Sequence, residues 1–144
     1  MTTPSAVLDT NVVLDWLVFR NPGVLLLGEA VASGRLRWIG CPAMGAELLH
    51  VLTQGALAHH AGLAEQALTF FERFCHSQPL PTGLPLTRMR CRDPSDQMFL
   101  DLALTQGADW LFSRDRALLK LARKAAPLGL RIRPPEAWAP DPQP

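Results

Sequence analysis

Four carboxylates have the types and spacing to do chemistry together in this 144-residue chain: Asp9, Glu47, Asp96 and Asp115. Each also has a plain structural explanation. Asp9 follows the apolar run Ala6-Val7-Leu8 and precedes Thr10-Asn11, where it can cap a helix. Glu47 falls about 60° from Met44 and about 40° from Val51 on a helical wheel, at the edge of an apolar stripe completed by Leu48 and Leu52. A carboxylate there is partly buried and needs a partner. Asp96 lies in Arg92-Asp93-Pro94-Ser95-Asp96, where Asp93 reads as N-cap, Pro94 as the first helical residue and Asp96 as a capping-box position. Asp96 shares a helix side with Phe99 and Ala103, whereas Asp101 points elsewhere and is expected in solvent. Asp115 can cap a helix that begins near Arg116. If the four converge on one pocket, they repel one another and must take up protons or bind cations. Carboxylate oxygens with water suit Mg²⁺ or Mn²⁺. Such a metal lowers the pKa of bound water, orients a phosphate and stabilises a leaving oxygen.

The elements that must position these acids follow from the hydrophobic pattern. Ser5 to Leu8 reads as a buried first strand ending at Asp9. Asn11 to Val18 looks helical until Arg20-Asn21-Pro22-Gly23 breaks it, and Val24 to Ala32 is a second periodic stretch stopped by Ser33-Gly34. Leu36 to Ile39 alternates as a strand does, and Pro42 opens a helix that continues from Ala43 to Thr53. Leu63 to His76 is amphipathic throughout, and Pro79 to Pro85 is a loop by its prolines. A helix from Pro94 to about Gln106, a strand at Asp109 to Ser113, a helix from about Arg116 to Ala125 and a last strand at Leu130 to Ile132 complete the order. The alternation implies an α/β fold with a mostly parallel sheet covered on both faces. Ligands of such folds bind beyond the carboxyl ends of the strands, where Asp9 and Asp115 stand.

Composition restricts the alternatives. Hydrophobic residues make up 48% and charged ones 19%, which excludes a largely disordered chain. No apolar run approaches the roughly 20 residues that span a bilayer, and the start of the sequence lacks the features of a secretory signal. Cys41, Cys75 and Cys91 are widely spaced and odd in number, and read as reduced thiols of a cytoplasmic protein, the first two packed. The net charge of +1 hides an asymmetry: residues 1–72 carry three Lys/Arg and six Asp/Glu (−3), residues 73–144 eleven and seven (+4). A basic second half can attract phosphate backbones, although composition alone favours a solvated surface. No Gly-rich phosphate loop, dinucleotide fingerprint, nucleophile elbow or zinc spacing competes with the acids, and His59-His60 is an isolated surface pair.

Taken together, Val7-Leu8-Asp9-Thr10-Asn11, Glu47 in Ala46-Glu47-Leu48-Leu49, the run from Cys91 to Ala103, and Gly107 to Asp115 resemble the PIN domain family, and more narrowly its VapC-like bacterial toxins. The resemblance covers roughly residues 5–138. It implies a three-layer α/β/α fold, a PIN domain over 1–138 followed by a Pro-rich tail at 139–144, and a metal-dependent nuclease acting on RNA. By position, Asp9, Asp96 and Asp115 look like metal ligands and Glu47 like a fourth acid, direct or through water. Asn11 and Ser113 look like supporting residues, with Asp93 a second candidate for the third acid. Ser113-Arg114-Asp115 departs from the family's Thr-Gly-Asp-like pattern: Arg114 either contacts substrate phosphate or narrows the metal pocket. Arg88, Arg90, Arg92, Arg114 and Arg116 are expected to hold an RNA backbone by charge.

The expected function is therefore Mg²⁺- or Mn²⁺-dependent hydrolysis of RNA phosphodiester bonds, in a toxin controlled by an antitoxin. The alternative is a weakened PIN scaffold that binds RNA or a protein. A response-regulator-like domain is set aside, because Lys120 and Lys124, the chain's only lysines, lie on a predicted helix. Trp16, Leu17, Leu25 and Leu26 are expected to be mostly core, though such a surface can serve a homodimer or an antitoxin.

Overall fold

The computed structural model describes residues 2–59, 62–79 and 89–139. His60, Arg88, most of the proline loop and residues 140–144 of the tail lie outside the described residues. Five strands form one sheet: β1 (Ser5–Leu8), β2 (Arg37–Gly40), β3 (Cys75–Ser77), β4 (Trp110–Phe112) and β5 (Arg131–Arg133). Their order is β3-β2-β1-β4-β5, and every pairing is parallel. Between them run α1 (Thr10–Leu17), α2 (Leu25–Ala32), α3 (Pro42–Thr53), α4 (Leu63–Phe74), α5 (Gln97–Thr105), α6 (Arg116–Leu119) and α7 (Ala122–Ala125). No helix among the described residues is long and apolar enough to cross a membrane.

Strand side chains alternate between two cores, as the pleat requires. Ala6, Leu8, Trp38, Cys75 and Phe112 face one core with α1, α2 and α4. Val7, Ile39, Leu111 and Ile132 face the other with α5, α6 and α7. Helices thus flank the sheet on both sides, which is why β1 and β4 read as continuous apolar runs. The chain winds outward from β1 through β2 to β3, then returns to place β4 on the other side of β1. This reversal opens a crevice beyond the carboxyl ends of β1 and β4.

Four local features differ from the sequence expectation. The amphipathic stretch from Leu63 does not stay helical to His76: α4 ends at Phe74, and Cys75 turns extended (φ −86°, ψ 125°). Cys75, His76 and Ser77 then pair with Trp38, Ile39 and Gly40, so the sheet edge supplies the backbone partners that another helical turn would have given. The helix expected from Pro94 starts as a 3₁₀ turn, Pro94–Asp96, before α5. The helix expected over 116–125 is two short ones, separated where Leu121 N–H bonds the Leu118 carbonyl at 2.9 Å in a tightened turn. Of the four apolar residues expected to be mostly core, Trp16 and Leu17 pack partly buried on it, but Leu25 and Leu26 are exposed.

Trp16 meets Trp38 edge-on at 5.7 Å and Phe70 at 5.9 Å, tying α1 to the sheet and to α4. Buried Gly28 on α2 makes room for this indole. A Cβ there would lie 2.6 Å from Trp16 Cδ1 and 2.8 Å from Cε2. Gly28→Ala therefore pushes Trp16 out of the cluster, and the overpacking cost outweighs the alanine's helix propensity for a net loss of about 1–2 kcal/mol. Urea unfolding checks this; a variant as stable as the wild type would show that the indole yields freely.

Candidate functional site

Asp9 leaves β1 as the N-cap of α1, its Oδ1 accepting from Val12 N–H at 2.9 Å. Its side chain is only 4% exposed, an uncommon placement for a carboxylate and one that demands partners. The Ser113 hydroxyl donates to its other oxygen, Oδ2. Ser113 is fully buried just past β4, and its Oγ also accepts from Asp115 N–H at 2.9 Å. One hydroxyl thus connects the ends of the two central strands. Burial raises the Asp9 pKa above its ordinary value, the nearby Asp115 charge adds to this, and the Ser113 and Val12 hydrogen bonds only partly oppose it.

Asp115 caps α6, accepting from Ala117 N–H at 2.8 Å. Asp93 caps the turn at Pro94, holding Ser95 N–H at 3.0 Å and its hydroxyl at 2.7 Å, bonds that lower its pKa. Asp96 ends the same turn. Oxygens of Asp93, Asp96 and Asp115 lie within 4.8 Å of one another. The Asp96 carboxyl is pushed up to about 7, first by burial, then by its hydrogen bond and repulsion with Asp115 and by the charges of Asp93 and Asp9. Its Oδ2 is buried without a hydrogen-bond partner. Every ion pair within 4.0 Å among the described residues involves Arg114, so no described lysine or arginine pairs directly with these acids.

Glu47 is half-buried on α3 and outside that close group of three; the Thr10 hydroxyl donates to its Oε2 at 2.6 Å. Asn11 is exposed, and what reaches Asp9 from it is a backbone N–H. Arg114 Nε pairs with Asp15 at 2.9 Å and its Nη1 with Glu136 at 2.5 Å. Its charge is thus engaged by carboxylates outside the cluster. Arg90, Arg92 and Arg116 are exposed, the last two adjacent in sequence to Asp93 and Asp115.

Several positioning residues escaped the sequence reading. Thr10 stood out only as a helix-capping type, and nothing in its spacing pairs it with Glu47, 37 residues away. Gln97 carried no motif signal, yet its Oε1 accepts from Cys91 N–H at 2.6 Å while its Nε2 donates to the Met89 carbonyl at 3.1 Å and to Asp101 at 2.8 Å. It fixes the approach to the Asp93–Asp96 turn. Asp101, expected in solvent, is half-buried and serves as that acceptor.

A hard divalent cation fits this donor set. Oxygen ligands of one ion at about 2.1 Å stand about 3.0–4.2 Å apart, so three carboxylate oxygens already within 4.8 Å of one another need to draw inward to share one Mg²⁺ or Mn²⁺. The buried, unpartnered Asp96 Oδ2 is the atom such an ion would satisfy.

The sign of the proton linkage follows. Asp96 has a folded pKa above its unfolded one, so protonation stabilises the fold and ionisation opposes it. Its contribution becomes less favourable as pH rises from about 4 through about 7. Asp96→Asn should therefore raise the melting temperature of metal-free protein at pH 8, with the gap closing toward pH 4. Mn²⁺ should raise the wild-type melting temperature at pH 8 and have little effect on the variant. A variant less stable than wild type in EDTA at pH 8 would contradict this electrostatic account.

The family model described as PIN domain matches residues 5–117, a span that includes all five of these acids. Among curated proteins none matches the chain.

Proposed function

The chain belongs to the PIN domain family, and from that premise we propose that it is a metal-dependent endoribonuclease that hydrolyses RNA phosphodiester bonds at its acidic site. The observation that carries the reading is the gathering of Asp93, Asp96 and Asp115 within 4.8 Å of one another, with one buried oxygen of Asp96 lacking a hydrogen-bond partner. PIN domains are typically metal-dependent nucleases, and the donor set suits the metal they use. Asp96 and Asp115 would hold Mg²⁺ or Mn²⁺ together with Asp9, while Glu47 completes the set directly or through water. When bound, the metal supplies an activated water and stabilisation of charge on the phosphate.

The chain's own residues have separable tasks in this scheme. Ser113 holds Asp9 and the Asp115 backbone in one arrangement, so both carboxylates are oriented before any ligand arrives. Thr10 keeps Glu47 from turning to solvent. Asp93 is occupied by Ser95 and shapes the turn that presents Asp96, which favours Asp96 as the third acid. Arg92 and Arg116 sit beside the acids with exposed side chains and hold the RNA backbone by charge. Arg114 is paired with Asp15 and Glu136, which argues against its occupying the metal's place. A toxin role extends the same reading: Phe19, Leu25 and Leu26 are exposed apolar side chains that an antitoxin or a second copy can cover.

Cleavage of a mixed RNA pool by the purified protein tests the proposal, with Mg²⁺, Mn²⁺ or EDTA. Metal-dependent cutting is expected. Asp9→Asn keeps the helix cap and should lose at least about 100-fold in rate, while Ser113→Ala and Thr10→Val should each lose about 10- to 100-fold. Full activity of Asp9→Asn would contradict the assignment of the site. Absence of cutting by folded, partner-free protein with every metal would favour a binding scaffold.

A further inference from the structure

At the end of the sheet remote from the acids lies a cleft of about 290 Å³, near the lower limit of about 300 Å³ for small-molecule sites. It opens where β1 and β2 begin, between the C-terminal ends of α2 and α4. Arg37, Arg73, Phe74, His76, Gly34 and Thr3 line it. Among the described residues no carboxylate does. Arg37 and Arg73 are exposed, and neither is within 4.0 Å of an acid among the described residues.

The two helix ends explain part of this charge, but not all of it. Each C-terminus presents about half a negative charge, so two such ends offset about one of the two guanidinium charges. A net positive cleft remains. The Arg73 guanidinium also lies over the Phe74 ring at 5.1 Å, a cationic platform backed by an aromatic ring. Arginine planes stack nucleic-acid bases well, and a second nearby arginine suits the phosphate of the same unit. Thr3 and His76 are further polar residues of the lining.

We propose that this cleft binds one nucleotide unit, the base on the Arg73–Phe74 platform and the phosphate at Arg37. The volume suits a single unit, either a free mononucleotide or one residue of an RNA strand whose remainder extends away from the cleft. The preference for a nucleotide over other anions rests partly on the ribonuclease reading; the cationic platform itself does not.

Fluorescence anisotropy of a short labelled single-stranded oligoribonucleotide in EDTA isolates this binding from cleavage. Arg37→Ala/Arg73→Ala should weaken binding about tenfold or more. Lys120→Ala/Lys124→Ala, which removes two exposed charges elsewhere, should weaken it much less. Adenosine monophosphate competing with the strand assigns the site to free nucleotides, and failure to compete assigns it to the strand. Unchanged affinity in a double variant that melts like the wild type overturns the proposal, as does an equal loss in the lysine variant. Protein that binds through the cleft yet cuts no RNA with Mn²⁺ retains this site and loses the nuclease reading. Cutting without cleft-dependent binding does the reverse.

Discussion

Parallel pairing of β1 with β4 is the constraint on which the rest of the site depends. Leu8 stands opposite Phe112, so the next residues, Asp9 and Ser113, leave the sheet side by side at its topological switch point. Asp9 N–H closes the ladder on the Phe112 carbonyl at 3.2 Å, and Ser113 then bridges Asp9 to the Asp115 backbone. A slip of one residue in this register would turn Leu8 and Phe112 away from their core and separate the acids from their tether. Core packing and site geometry are therefore enforced by the same strand pair.

Gathering carboxylates here works against folding, and local hydrogen bonds only partly compensate. Asp9, Asp93 and Asp115 each cap a helix or turn, so their charges meet backbone N–H groups and the positive end of a helical segment. Asp96 has no side-chain cap bond and ends with one oxygen buried and unpartnered. The strain of the arrangement is thus concentrated on one residue. A cation bound there would convert that cost into binding energy.

Much of this was legible in the sequence because capping and chemistry use the same residue types. Asp9 and Asp115 announce helix starts just after apolar strands, Asp93 and Asp96 announce one beside Pro94, and the α/β alternation shows the sheet end where Asp9 and Asp115 stand. The periodicity that located α4 concealed β3, since Cys75 to Ser77 is too short to show an alternation and becomes a strand only by pairing with β2. The bonds of Thr10 to Glu47 and of Arg114 to Asp15 and Glu136 are contacts across the fold, which residue spacing cannot encode. Leu25 and Leu26 look like core by type, yet the α2 face that carries them is left uncovered in the single chain.

The most direct test of the account is anomalous diffraction from crystals of the protein soaked in Mn²⁺ at pH 8. The account predicts an ordered ion in contact with the Asp96 and Asp115 carboxylates, with Asp96 Oδ2 among its ligands. A metal-free cluster in such crystals, with Asp96 and Asp115 sharing a proton instead, would contradict it and leave the buried acids as a purely structural feature.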